Sequence, residues 1–237
     1  MPLSKTISQA DLDLPEVRAP GVALGRFVRK LFLRGDAFAV NGVLKRRFRV
    51  RWHKLWEYQR GLAYVPWKRD WRVLDFGGGA TLPVYYLADQ GLPVWSFDID
   101  HHLTGCAQEM ARKRRWNLNA SVQDLTSQPL DPAQKFDWAM SFCVLGHFPR
   151  ATQLRAAREL ASHLKPGGYM TLTFDYSPDA PVADALRTPH DVAKLVQATG
   201  LKPMDGRPFS DTYERFTLDR RHPDCRFTFG SLFLRKD

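Results

Sequence analysis

The sequence predicts an α/β protein: a seven-stranded, mostly parallel sheet with helices on both faces, an antiparallel last strand and a helical N-terminal extension. Three observations carry this expectation. From residue 71 onward, short apolar runs alternate with stretches of helical periodicity, the rhythm of right-handed strand–helix–strand crossovers. The segment VLDFGGGATLPVYYLADQG, residues 73–91, joins one such run to a helical stretch through three consecutive glycines. The tail CRFTFGSLFLRK, residues 225–236, is strand-like with no helix after it, which predicts antiparallel pairing.

Taken in order, residues 1–20 read as a loose arm. VALGRFVRKLFLRG, residues 22–35, sets Leu24, Phe27, Val28 and Leu31 on one helical face between Arg26, Arg29 and Lys30, with Gly35 as its C-cap. Residues 45–65 mix cations with Phe48, Trp52, Trp56 and Tyr58 in a second helix that Pro66 ends. Strands are then expected over 71–76, 93–99, 120–123, 136–142 and 168–174. Helices are expected over 80–90, 102–116, 152–164 and 190–200. The division is thus 1–70, a basic, aromatic helical extension or cap, and 71–237, the sheet domain.

Composition narrows the function classes. The 237 residues are 44% hydrophobic and 12% aromatic, ordinary for a globular chain with a sizeable core. No apolar run reaches the roughly 18–20 residues that span a bilayer, and the first residues lack the apolar centre of a secretory signal, so a cytoplasmic protein is expected. Cys106, Cys143 and Cys225 form no CxxC or CxxH pattern, so neither disulfide framework nor zinc site is expected; each reads as a small buried side chain. The net charge of +10 is wholly N-terminal: residues 1–72 hold 16 Lys+Arg and 6 Asp+Glu, and the remainder holds 19 of each.

The glycine stretch brings main-chain amides close to a ligand just before a helix N-terminus. A dinucleotide fingerprint needs a third small residue, and Leu82 stands there instead. Asp75, just before the loop, would repel a diphosphate yet suit an ammonium. Asp98, 19 residues after Gly79 at a strand end, suits two ribose hydroxyls, and Asp124, after the third strand, an adenine amino group. Ribose, adenine and ammonium without phosphate describe the ligand.

Residues 71–175 resemble a class I S-adenosylmethionine-dependent methyltransferase of the small-molecule group, a Rossmann-like fold. VLDFGGG, VWSFDID, SVQDLT, FDWAMSFCVLGHF and LKPGGYMTLTF stand in register with that family's motifs. The resemblance implies S-adenosyl-L-methionine as cofactor and S-adenosyl-L-homocysteine as product. It implies Asp75, Phe76, Gly77, Gly78 and Gly79 around the methionine portion, Asp98 on the ribose, and Ile99 against the adenine. Asp124 with Leu125 would meet the adenine amino edge and Phe142 would line the pocket floor. One departure stands out: where the family often has acids in EVLEH, this chain has CVLGH, with Cys143 and Gly146.

His147, beyond the fourth strand, is the candidate general base, with structural packing as its other reading. Asp175 and Tyr176 are candidates to orient an acceptor, and Glu57 and Tyr58 to close over the cofactor. His101 and His102 read as solvated or capping. SFCVLGHF offers no carboxylate pair for a hard cation, so no metal is expected. The expected function is methyl transfer to oxygen, with nitrogen less favoured, on a small-molecule or saccharide/lipid-linked acceptor, anionic among the options. The alternatives are an RNA-modifying methyltransferase using the basic third, and a cofactor-binding protein without catalysis. That third could also touch the inner face of a membrane through its amphipathic helix, or simply cap the sheet with solvated cations.

Overall fold

The computed structural model describes residues 2–40, 42–46, 49–178, 184–217 and 226–237, without the Phe227 side chain. In chain order, β1 (Lys5–Thr6) and a 3-10 turn precede α1 (Pro15–Leu33), a hairpin of β2 (Phe38–Val40) and β3 (Val43–Lys45), and α2 (Trp52–Ala63). The alternating region follows as β4 (Val73–Phe76), α3 (Leu82–Asp89), β5 (Val94–Asp98), α4 (His101–Arg114), β6 (Leu118–Val122) and β7 (Phe136–Phe142). It continues as α5 (Arg150–Ser162), β8 (Leu164–Tyr176), α6 (Pro189–Thr199), β9 (Lys202–Pro203), β10 (Phe216–Thr217) and β11 (Arg226–Arg235).

The main sheet runs β1-β11-β8-β7-β4-β5-β6, with β9 and β10 also paired to β11. Pairings among β4, β5, β6, β7 and β8 are parallel, whereas β11 is antiparallel to β8 from Thr228↔Tyr176 to Arg235↔Tyr169. The seventh strand of this path is β1, from the N-terminal extension.

Neighbouring residues on each strand serve opposite cores, as the two-residue period demands. Val73, Trp138 and Met140 join α1 and α3 on one face, while Leu74 and Ala139 join α5 and α6 on the other; Phe136 joins the second group because an irregularity in β7 separates it from Trp138. Leu24, Phe27, Val28 and Leu31, the predicted apolar stripe, are buried in the first cluster. Each such burial is worth about 1.5–3 kcal/mol, and it commits that stripe to the core and not to a membrane surface. Among the described residues, no helix is long and apolar enough to cross a membrane.

Two expectations about the extension are corrected. Residues 1–20 are no loose arm: β1 pairs with β11, and Asp11, 3% exposed, accepts from Lys5 Nζ at 2.6 Å, Trp56 Nε1 at 2.8 Å and an Arg60 guanidinium nitrogen at 3.2 Å. Arg60 also donates to the Leu3 carbonyl, and α1 begins at Pro15. The second helix starts at Trp52, not residue 45. Cations crowd residues 45–51 with no acid to pair at helical spacing, and helix forms only where a face can be buried. Gly35, at φ +67, follows α1 as expected. The solvated-cation reading also fails in part, since Lys5, Lys30, Lys54 and Arg60 pair with acids.

Candidate active site

Strand β4 ends in the glycine loop, which the Gly77 amide anchors to the Phe97 carbonyl at 2.7 Å. Gly77 has φ +73, and a Cβ there would lie 2.5 Å from Val144; one on Gly78 would collide with the Asp75 carboxylate. The hairpin closes over this loop through the Ala39 amide, which donates to the Ala80 carbonyl at 2.7 Å. A ligand can therefore approach the main chain at Gly77 and Gly78.

These elements wall a cavity of about 710 Å³ at the C-terminal ends of the parallel strands, the crevice such sheets offer to ligands. Phe76, Gly77, Gly78, Asp98, Ile99, Phe142 and His147 all line it. Ile99 is 61% exposed, an apolar side chain left available on that wall. The Asp98 carboxylate accepts from the Asp100 amide at 2.9 Å, and burial holds its pKa above the usual range.

Three predicted groups lie elsewhere. Gly79 packs behind the wall against Asp98 and Leu103. Asp124 turns its carboxylate onto Thr126 and Ser127, whose donation pulls its pKa down, and Leu125 is buried in the core; Gln123 lines the cavity beside them. Asp75 lies beneath the loop and is 1% exposed. Its Oδ2 accepts from Ser96 at 2.6 Å, while Oδ1 has no partner. Burial pushes this carboxyl up to about 7, with Asp98 adding to the shift and the Ser96 and Gly78 donors opposing it.

The other end of the cavity is built by α2 and the segment after β7. Arg51, His53, Lys54 and Tyr58 line it, facing Cys143, His147, Asp175 and Phe229. Glu57 is fully buried behind them, 3.0 Å from Lys54 Nζ and accepting from the Thr173 hydroxyl at 2.8 Å. Burial opposes the Lys54 charge, but Cys143, Glu57 and Tyr58 outweigh it and hold the ammonium well above its usual range. His53 stacks on Phe229, ring centroids 5.5 Å apart, and burial lowers its pKa to about 4.

The altered CVLGH segment has a structural reason. A Cβ on Gly146 would lie 2.9 Å from Asp175 Oδ2, so its absence makes room for an acid delivered by β8. Burial, then Glu57, raises the Asp175 pKa, and Lys54, followed by His147, opposes the rise. At Cys143 the acid comes from Glu57, which with burial pushes the thiol's pKa well up. Cys143 holds φ +55, a conformation costing roughly 1–2 kcal/mol, and its amide donates to both the Thr173 carbonyl and hydroxyl at 3.0 Å. It is thus part of the cavity wall and not the inert buried side chain expected. Cys106 is likewise only partly buried, and Cys225 lies outside the described residues.

Tyr176, next to Asp175, points to the opposite face and is buried against Phe209, as strand alternation requires. Burial pushes its hydroxyl up to about 12. His101 and His102 open α4, where the cap is the Asp100 carboxylate. Arg51, His53 and Lys54 escaped the sequence reading because nearly all of α2 is buried, so no periodic face singled them out.

A family model described as a methyltransferase domain matches residues 28–215. A tRNA U34 carboxymethyltransferase from Hydrogenovibrio crunogenus is 28% identical over 136 residues, 55% of this chain; the chain spans 40% of that relative's length. Among solved structures, the [4+2]-cyclase SpnF superposes with a TM-score of 0.63 at 19% identity, covering 90% of this chain and 93% of that one. A TehB-like S-adenosylmethionine-dependent methyltransferase from Corynebacterium glutamicum gives a TM-score of 0.56 at 19% identity, covering 93% and 100%. The structural likenesses speak for the fold, and the family model, spanning well over half of the sequence around the glycine loop and its cavity, settles the kinship: the chain belongs to the methyltransferase-domain family of class I S-adenosylmethionine-dependent methyltransferases.

Proposed function

We propose that the protein methylates an oxygen, with nitrogen as second choice, of a small-molecule or saccharide-type acceptor, leaving S-adenosyl-L-homocysteine. The observation that carries this reading is a single cleft whose wall holds the glycine loop at one end and His147 with Asp175 at the other. S-adenosylmethionine supplies an activated methyl group when bound. The residues fit it: Gly77 and Gly78 leave main-chain room, and the orphaned Asp75 Oδ1 waits for positive charge beneath them. Asp98 would take the ribose hydroxyls and Ile99 the adenine face, with Phe142 under the ligand and Gln123, in place of Asp124, on the adenine side of the wall.

At the acceptor end, the His147 amide donates to the Val144 carbonyl, while its ring has no hydrogen-bond partner among the described residues, leaving a ring nitrogen available for an acceptor proton. Asp175 beside it would steady the resulting imidazolium, and the apolar Phe142, Phe148 and Phe229 restrict water. An RNA acceptor is the second reading, favoured by the tRNA-modifying relative and by exposed Lys45, Arg46 and Arg49 on the approach to α2.

Calorimetric titration with S-adenosylhomocysteine, with NAD as comparison, tests the cofactor assignment. Wild type should bind the former alone, and Asp98→Ala should weaken it about tenfold or more, roughly 1.4 kcal/mol. Binding of NAD, or an Asp98→Ala affinity equal to wild type, would overturn the assignment. Labelled methyl transfer to phenols, saccharides and RNA then separates the acceptor classes, RNA affinity alone falling steeply with salt.

A further inference from the structure

The entrance to α2 holds a group of features that methyl transfer does not account for. Arg51 is the N-cap and supplies no side-chain cap, and the first turn contains no acid. Among the described residues, the amides of Trp52, His53 and Lys54 make no hydrogen bond, the first one of the helix being Leu55 to Arg51. Among the described residues, a helix of 12 residues thus leaves three donors open at its positive end, which favours an anion. Arg51, His53 and Lys54 of this end all line the cavity.

A second observation is independent of the helix end. His53 is 5% exposed, belongs to the cavity wall, and its ring nitrogens have no partner among the described residues. Its ring is fixed by stacking on Phe229 and by the edge of Trp52, at 5.5 and 6.0 Å. A buried polar ring held rigidly toward a cavity with nothing to bond leaves a place for a ligand atom. The charges around it fit an anion. Glu57 is turned away, with Lys54 and the Thr173 hydroxyl at its oxygens, so Lys54 and Arg51 face the cavity. Of the acids that line the cavity, Asp98 and Asp100 stand at the glycine-loop end; Asp175 shares the α2 end, where the Lys54 charge offsets it and Arg51 adds a further cation.

We infer that the N-terminus of α2 is an oxyanion subsite, where the amides of Trp52, His53 and Lys54, with the Arg51 and His53 side chains, seat a carboxylate or phosphate carried by the acceptor. This rests on the methyltransferase reading and narrows it: the acceptor is a small molecule with a transferable hydroxyl or amine proton and an anionic substituent.

The test is calorimetry at constant ionic strength on protein saturated with S-adenosylhomocysteine, using benzoate, phenyl phosphate and neutral phenol as probes. At least one anion should bind ten times more tightly than phenol, and which one does identifies the source as carboxylate or phosphate. Arg51→Asp places a carboxylate at the N-cap, where it occupies the same amides, so it should raise the melting temperature and abolish anion binding. Arg51→Asn supplies a neutral cap and should weaken binding at least tenfold. Phenol binding as well as the anions, anion affinity weaker than about 10 mM, or anion binding unchanged in Arg51→Asp would each overturn the subsite. Because saturation with S-adenosylhomocysteine is measured first, those outcomes leave the cofactor assignment standing, and failure of that first step is a separate result.

Discussion

Cofactor binding should release a proton from Asp75. With its pKa raised to about 7 by burial, Asp75 is about half protonated at pH 7 and about nine-tenths protonated at pH 6 in the free protein. A ligand ammonium near Oδ1 favours the carboxylate, so binding expels that proton: about 0.5 per ligand at pH 7 and about 0.9 at pH 6. Affinity should therefore fall on acidification, approaching tenfold per pH unit below 7, and level off above 8. The same shift acts on stability. Between pH 3.8 and about 7 the folded protein holds a proton that the unfolded chain has lost, so stability declines as pH rises through this window. The total is on the order of 4 kcal/mol, from about 3 pKa steps of 1.36 kcal/mol each. Calorimetry of S-adenosylhomocysteine binding in buffers of different ionisation enthalpy counts the protons directly. Asp75→Asn should abolish the release, weaken binding and raise the melting temperature of the free protein at pH 8. Binding heats that do not depend on buffer between pH 6 and 7 would refute the reasoning.

Two further outcomes follow from close packing. Gly77→Ala needs φ +73 and puts a methyl 2.5 Å from Val144, so S-adenosylhomocysteine affinity should fall more than tenfold, with about 1–3 kcal/mol of stability lost in a denaturant titration. Asp11→Ala removes the carboxylate shared by the buried cations of Lys5 and Arg60 and should cost about 3–5 kcal/mol, seen as a lower urea midpoint; a midpoint equal to wild type would show that the N-terminal segment does not brace α2.

The parallel strands and the glycine loop were legible because each strand is a short apolar run of its own and each turn carries its own glycine or acid. Gly77, Gly78 and Asp98 needed only that local reading, whereas Ile99 and Phe142 followed from the family resemblance; all five line the cavity. The rest depends on partners far away in the chain. β1 is two residues long and exists only because β11 offers an edge, so no periodicity announces Lys5 and Thr6. Lys54 and Glu57 looked like members of a cationic, aromatic run, and their pairing inside the protein is settled by Thr173 on another element. Asp175 and Tyr176 could not be told apart until the strand's facing was known. The missing acids of CVLGH read as a loss until Glu57 and Asp175 were seen to supply carboxylates there from elsewhere.

The pairing of β1 with β11 also bears on the order in which the molecule assembles. Lys5 and Ser231 are 226 residues apart in sequence, so that contact closes one of the longest loops available to the chain. The ladder joining β5, β4 and β7, which carries the glycine loop, lies within residues 73–142. Loop closure costs more with separation, and distant pairings form slowly. In refolding, competence to bind the cofactor should return before the chamber walled by His53 and Phe229, whose stacking requires the last strand. Stopped-flow fluorescence would then show two recovery phases, with anion recognition confined to the slower one.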